Sequence, residues 1–189
     1  MAGNPSIGNR LNKVTELCSS LYLVLQEFEV VITKENAAIG RSDLAELEAI
    51  TDDKIIFGEK VKKQIRTLKE AMEDLAIEVG GVEVDSDDDR QLTHFVSTVR
   101  EQLLKEHPGL ETELKRLEEW SLKLKNFRLQ IFAKVETNAY LVKKLLEYHR
   151  ETYAFWQAVA RESEAVYGQT GKTKYGNGSS QKSILNVRT

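Results

Sequence analysis

Between Leu110 and Val166 the chain contains neither glycine nor proline, and apolar residues return every few positions along one helical stripe: Leu114, Leu117, Leu124, Ile131, Val135, Val142, Leu145 and Trp156. A stretch of that length with that rhythm and no breaker points to one regular structure, an amphipathic α-helix. At ~1.5 Å per residue, ~55 residues span roughly 80 Å, more than a bundle made from a chain of this size needs. Such a helix either kinks or outruns its partners.

The same rhythm organises the earlier part of the chain. Leu11, Val14, Cys18, Leu21, Leu25, Phe28 and Ile32 alternate spacings of three and four, and Leu17, Val24 and Val31 widen that seam. Gly40 is the expected left-handed end of this first helix. Ser42 is the expected N-cap of a second, with Asp43 and Glu46 in its first turn near the positive end of the helix dipole. Its stripe is Leu44, Leu47, Ile50, Val61, Ile65, Leu68, Met72 and Leu75; it loosens between Thr51 and Gly58, and Gly80-Gly81 closes it. The acidic run Glu83 to Asp89 reads as a polar loop, with Asp89 as a cap for a shorter helix carrying Leu92, Phe95, Val96, Val99, Leu103 and Leu104. His107-Pro108-Gly109 is a turn. A seam of Leu, Val and Ile at this period packs with a left-handed twist, and a two-residue connection makes the first two helices an antiparallel hairpin. The expected fold is all-α: an antiparallel long-helix bundle or coiled coil of three long helices plus one short helix, with a flexible C-terminal tail. The expected divisions are a flexible lead over 1–10, a helical domain over 11–166 and a flexible cationic tail over 167–189.

Charge narrows the partners. The net charge is −3, yet residues 167–189 hold Lys172, Lys174, Lys182 and Arg188 with no acid, so the body is more acidic than the whole. That balance argues against a nucleic-acid-binding body. Cys18 is the only cysteine, so no intrachain disulfide forms, and its place on the seam reads as a buried small hydrophobe. Met1 to Arg10 lacks the apolar core of a secretion signal, and no run approaches the ~18 apolar residues of a membrane span. A cytoplasmic protein without membrane insertion is expected.

Reaction chemistry finds little support. His94, His107 and His149 stand far apart and in no zinc-ligand spacing. Gly168-Gln169-Thr170-Gly171-Lys172-Thr173 looks like a phosphate loop, but Val166 occupies the position where the pattern needs its first glycine, and a helix rather than a strand precedes it. The acidic run lacks the central glycine and closing glutamate of a calcium loop. The remaining carboxylates lie along solvated helix faces. No catalytic, cofactor or metal residue is expected, and the chain reads as a binding protein rather than an enzyme.

Aromatic residues are distributed unevenly. Tyr140, Tyr148, Tyr153, Phe155, Trp156 and Tyr167 crowd the end of the last helix and its exit. Phe155 and Trp156 are open to two readings, core residues or part of a partner-docking surface.

Three patterns occur in order: Leu44-x-x-Leu47-x-x-Ile50-Thr51-x-x-Lys54 after a helix containing Glu27-Phe28 and Glu35-Asn36; Asn138-x-x-Leu141-Val142-x-x-Leu145-Leu146; and Tyr167-Gly168-x-x-Gly171-Lys172-Thr173 leading to Ile184-Leu185. Over roughly residues 15 to 185 this set resembles the FlgN-type flagellar export chaperones. The segment Val82 to Gly109 is long against the family pattern. The resemblance implies a cofactor-free helical cytosolic chaperone. Its clients would be the C-terminal amphipathic helices of hook–filament junction proteins (FlgK/FlgL-like), delivered to an export gate protein (FlhA-like). It implies client binding around Asn138, Leu141, Val142, Leu145, Leu146, Tyr153 and Trp156, and gate binding at Tyr167 and Gly168. A client-free homo-oligomer fits the same picture. The heptad seam taken alone also fits a generic coiled-coil scaffold or dimerisation protein.

Overall fold

A computed structural model describes residues 5–80 and 91–167, with side chains over 7–80 and 92–161. The acidic run with its Asp89 cap, Gly168, and the tail with its Ile184, Leu185 and Val187 cluster lie outside the described residues. The elements are α1 (Pro5–Arg41), α2 (Leu44–Val79), α3 (Gln91–Glu106), a 3-10 turn over Pro108–Leu110, and α4 (Glu111–Tyr167). Among the described residues all regular structure is helical, as the periodicity requires. The chain divides into two units, Met1–Lys143 and Lys144–Thr189.

In the first unit the seams meet. Leu11, Val14, Cys18, Leu21, Leu25 and Ile32 of α1 are buried with Leu68, Met72 and Leu75 of α2, Phe95, Val96, Val99 and Leu103 of α3, and Leu114, Leu117, Leu124 and Ile131 of α4. Each such side chain contributes about 1.5–3 kcal/mol when taken out of water. A smaller cluster of Val31, Ala38 and Ile50 covers the α1–α2 turn. Leu44 and Ile65, expected on the α2 stripe, are exposed instead. The loosened stretch of α2 does not break: Gly58 stays helical, and Phe57 faces Phe28 with ring centroids 6.4 Å apart while Lys60 lies over the Phe57 ring.

Several boundaries differ from expectation for local reasons. Residues 5–10 are helix rather than lead, because Ile7 and Leu11 both extend the seam into the core. Gly40 is not the left-handed residue. Burial of Ala38 and Ile39 draws α1 on to Arg41, and Ser42 takes φ 54. The Ser42 N–H then donates to the Ile39 carbonyl and the Asp43 N–H to the Ala38 carbonyl, the paired bonds of a Schellman closure. With Ser42 so occupied, Asp43 caps α2, its carboxylate accepting from the Glu46 N–H at 3.0 Å. Gly80 does close α2 as expected, at φ 94 with its N–H donated to the Ala76 carbonyl.

Helix direction refines the bundle. Arg10 pairs with Glu78, Lys13 with Asp74 and Lys54 with Glu35, so α1 and α2 are antiparallel. Arg100 pairs with Glu118 across the short Pro108–Leu110 turn, so α3 folds back along α4. Tyr22 meets Phe127, Glu29 meets Lys134 and Asn36 meets Asn138; both numbers rise together, so α1 and α4 run parallel. Helices in chain order need not alternate when a connection is long enough to return. The ten residues from Gly81 to Arg90 reach up to ~33 Å, more than the ~24 Å of the sixteen-residue α3.

Candidate functional site: the late part of helix four

The seven residues expected to bind a client fall into two environments. Asn138 is only 2% exposed. Its Nδ2 donates to the Ile32 carbonyl at 2.8 Å and to Glu35 Oε2 at 2.9 Å, and its Oδ1 accepts from Asn36 Nδ2 at 2.8 Å. The other Glu35 oxygen accepts from Lys54 Nζ at 2.8 Å. Asn138 is therefore part of the interior of the first unit, bonded to α1. A groove of about 370 Å³ opens beside it, lined by Thr33, Lys134 and Thr137 among others. Leu141 and Val142 are half-buried.

Within the second unit the described side chains, Lys144 to Arg161, include none that is buried. Leu145 is half-buried, and Leu146, Tyr153 and Trp156 are 58%, 67% and 62% exposed. Tyr148, Phe155 and Val159 are exposed with them. Phe155 and Trp156 are not buried among the described residues. Phe155 and Trp156 meet edge to face with centroids 5.5 Å apart, and Tyr148 and His149 at 5.8 Å. The Glu147 carboxylate accepts from Lys144 Nζ at 2.7 Å, and that bond and charge hold the ammonium above its ordinary range. Tyr167 is the last residue of α4; its side chain and Gly168 lie outside what is described.

Periodicity alone separates these environments poorly. Asn138 continues the three-four spacing from Ile131 and Val135, and the seam signal does not stop where burial stops. The sequence feature that marks the change is an amide in a run of aliphatic seam positions, with Glu35-Asn36 at the same point near the end of the α1 seam.

The described residues contain no group of three metal-ligating side chains. Burial pushes the Cys18 thiol up to about 12, so it is no nucleophile at neutral pH. Among the described residues no helix is long and apolar enough to cross a membrane. The surfaces this fold offers among the described residues are helix faces, and late α4 exposes Leu146, Tyr153, Phe155 and Trp156: the fold defines an all-helical protein. Residues 10–175 match the model of the family described as FlgN protein, and the chain belongs to that family. FlgN proteins are flagellar export chaperones, not enzymes. No curated protein and no solved structure matches the chain.

Proposed function

We propose that this chaperone acts in the cytoplasm on hook–filament junction proteins of the FlgK/FlgL type. It covers their C-terminal amphipathic helices with the face of α4 that carries Leu145, Leu146, Tyr153 and Trp156, and presents them to an FlhA-like export gate through Tyr167 and Gly168. The observation that supports this most directly is the exposure of Leu146, Tyr153 and Trp156 on one helix with no buried residue among its described neighbours.

The physical logic is helix-on-helix burial. A client helix that would otherwise self-associate finds an apolar stripe of matching period. Each large anchor contributes about 1.5–3 kcal/mol, against an association cost of about 4–15 kcal/mol, so a few anchors give a complex that forms and still lets go. No cofactor takes part. In the absence of client the same face pairs with a second copy.

The test is co-expression of the full chain with C-terminal segments of the FlgK-like and FlgL-like proteins. A co-purifying complex is expected, and recovery of neither segment overturns the client assignment. Tyr167→Ala is expected to weaken capture by the gate protein while leaving client binding intact. Loss of both, or of neither, removes Tyr167 from that role.

A further inference from the structure

Within the first unit α4 carries two seams. Leu117, Leu124, Ile131 and Asn138 form the buried one. Leu122, Lys125, Leu129, Phe132, Glu136 and Ala139 form another, at spacings of three, four, three, four and three, and every one of them is exposed. Leu129 and Phe132, at its centre, are 57% and 59% exposed. A three-four rhythm with apolar residues at its centre, on a solvent-facing side, is the pattern of a helix that packs on a second helix.

The order of residues along this seam says which helix. Read backwards, it gives the same succession of apolar and charged positions with each sign reversed. Laid antiparallel on a copy of itself about the Gln130–Ile131 peptide, it sets Leu129 against Phe132, Lys125 against Glu136 and Leu122 against Ala139. Each pair occurs twice, as a two-fold interface requires. A parallel copy would set Lys125 against Lys125 and Glu136 against Glu136. Neither side chain is paired among the described residues, so an antiparallel copy supplies a counter-charge to both. The surface is shaped for the same partner. A cavity of about 350 Å³ is lined by Lys125, Arg128, Leu129 and Phe132 of α4 with Leu92 of α3. Residues spaced i, i+3, i+4 and i+7 form the hole of knobs-into-holes packing, and in the antiparallel register Phe132 of the second copy stands over it.

We propose that this face of α4 joins two copies of the chain as an antiparallel homodimer. Phe132 of each copy enters the cavity of the other, and the two Lys125–Glu136 pairs fix direction and register. The apolar anchors supply the attraction; the charges reject the parallel arrangement and any register that brings like signs together. The contact uses residues of the first unit alone. It goes beyond the pairing through late α4 given above and does not depend on it.

The experiment is sedimentation velocity of the full chain over a concentration series. A reversible dimer is expected. Lys125→Glu and Glu136→Lys each bring like charges together twice and are expected to raise its dissociation constant about tenfold or more. The double variant restores both pairs with their signs exchanged and is expected to dimerise like the parent chain. So is an equimolar mixture of the two single variants, and that recovery shows that neither has merely lost its fold. Register is read with Leu122→Cys and Ala139→Cys in one chain. These positions lie seventeen residues apart on one helix, roughly 25 Å, so a disulfide joins them only between antiparallel copies. Buried Cys18 does not compete. A chain that is monomeric throughout overturns the proposal, and a monomer whose capture of a client segment falls with Phe132→Asp gives the face to the client instead. A dimer untouched by either charge reversal but lost with Trp156→Ala belongs to late α4 and overturns it too. Sedimentation and disulfide formation involve no client, so their failure leaves the chaperone reading standing.

Discussion

Asn36 donates its side-chain amide to the Oδ1 of Asn138 at 2.8 Å, across 102 positions of sequence. The bond ties the last turns of α1 to the point on α4 beyond which described burial falls away. Asn138 also holds the Glu35 carboxylate, so removing it leaves a buried charge short of a donor. Asn138→Ala is expected to lower unfolding stability by about 3–5 kcal/mol, and Asn138→Leu, which refills the space but still strips Glu35 of its donor, by about 2–3 kcal/mol. Urea denaturation of the two variants measures the difference. Equal losses would mean that the side chain contributes its hydrogen bonds alone.

Trp156 and Tyr153 should behave in the opposite way. Both are well exposed, so Trp156→Ala and Tyr153→Ala are expected to change stability by less than about 0.5 kcal/mol. As anchors of a client helix, each should weaken client binding about tenfold or more. Thermal melts together with calorimetric titration of the client segment separate the two effects. A large loss of stability from either substitution would place these residues in a core.

The Cys18 thiol gives a pH signature. Burial raises it from an ordinary value of 9.0 to about 12. Below pH 9 the thiol is neutral in folded and unfolded chains, and its contribution is fully present. Above that the unfolded chain ionises first, so stability falls by about 1.4 kcal/mol per pH unit until the folded thiol ionises too. The slope disappears in Cys18→Ala once that variant's own baseline is measured. At neutral pH, alkylation of Cys18 is expected only as fast as the bundle opens.

At the α1–α2 turn, Ser42→Gly relieves a left-handed backbone at φ 54 and is expected to stabilise by about 1 kcal/mol. Asp43→Ala removes the carboxylate that caps α2 and is expected to cost about 1 kcal/mol. Chemical denaturation of both variants checks the signs. Had Ser42 been the cap, as its residue type suggests, the sign at position 42 would be reversed.

That turn shows where reading the chain works and where it stops. The seam from Leu11 to Ile32 and the closure at Gly80 follow from period and from glycine's freedom at positive φ, both local properties. Whether the turn glycine is Gly40 or a serine takes its place depends on how far Ala38 and Ile39 must travel to be buried, which is set by α2. The direction of α4 relative to α1 depends on the reach of a connecting segment, to which a periodicity is blind. Asn138 was legible as a special position, and its chemistry was not: an amide among aliphatics marks equally well a client contact or an interior bond. The exposed run of Leu146, Tyr153 and Trp156 was legible as a surplus of aromatic residues, because one neighbouring helix cannot cover rings on two faces.

The two tryptophans fall one in each unit. Trp120 packs edge to face on Tyr22 at 5.8 Å with Lys123 over its ring, while Trp156 stands in water. Indole emission moves to longer wavelength as water reaches the ring, so the intact protein emits in two bands of different colour. Loosening of the bundle reddens the first, and a partner settling on late α4 blues the second. The unlabelled chain thus carries separate optical readings of its integrity and of its occupancy, and a single spectrum can tell an unfolded chaperone from an empty one.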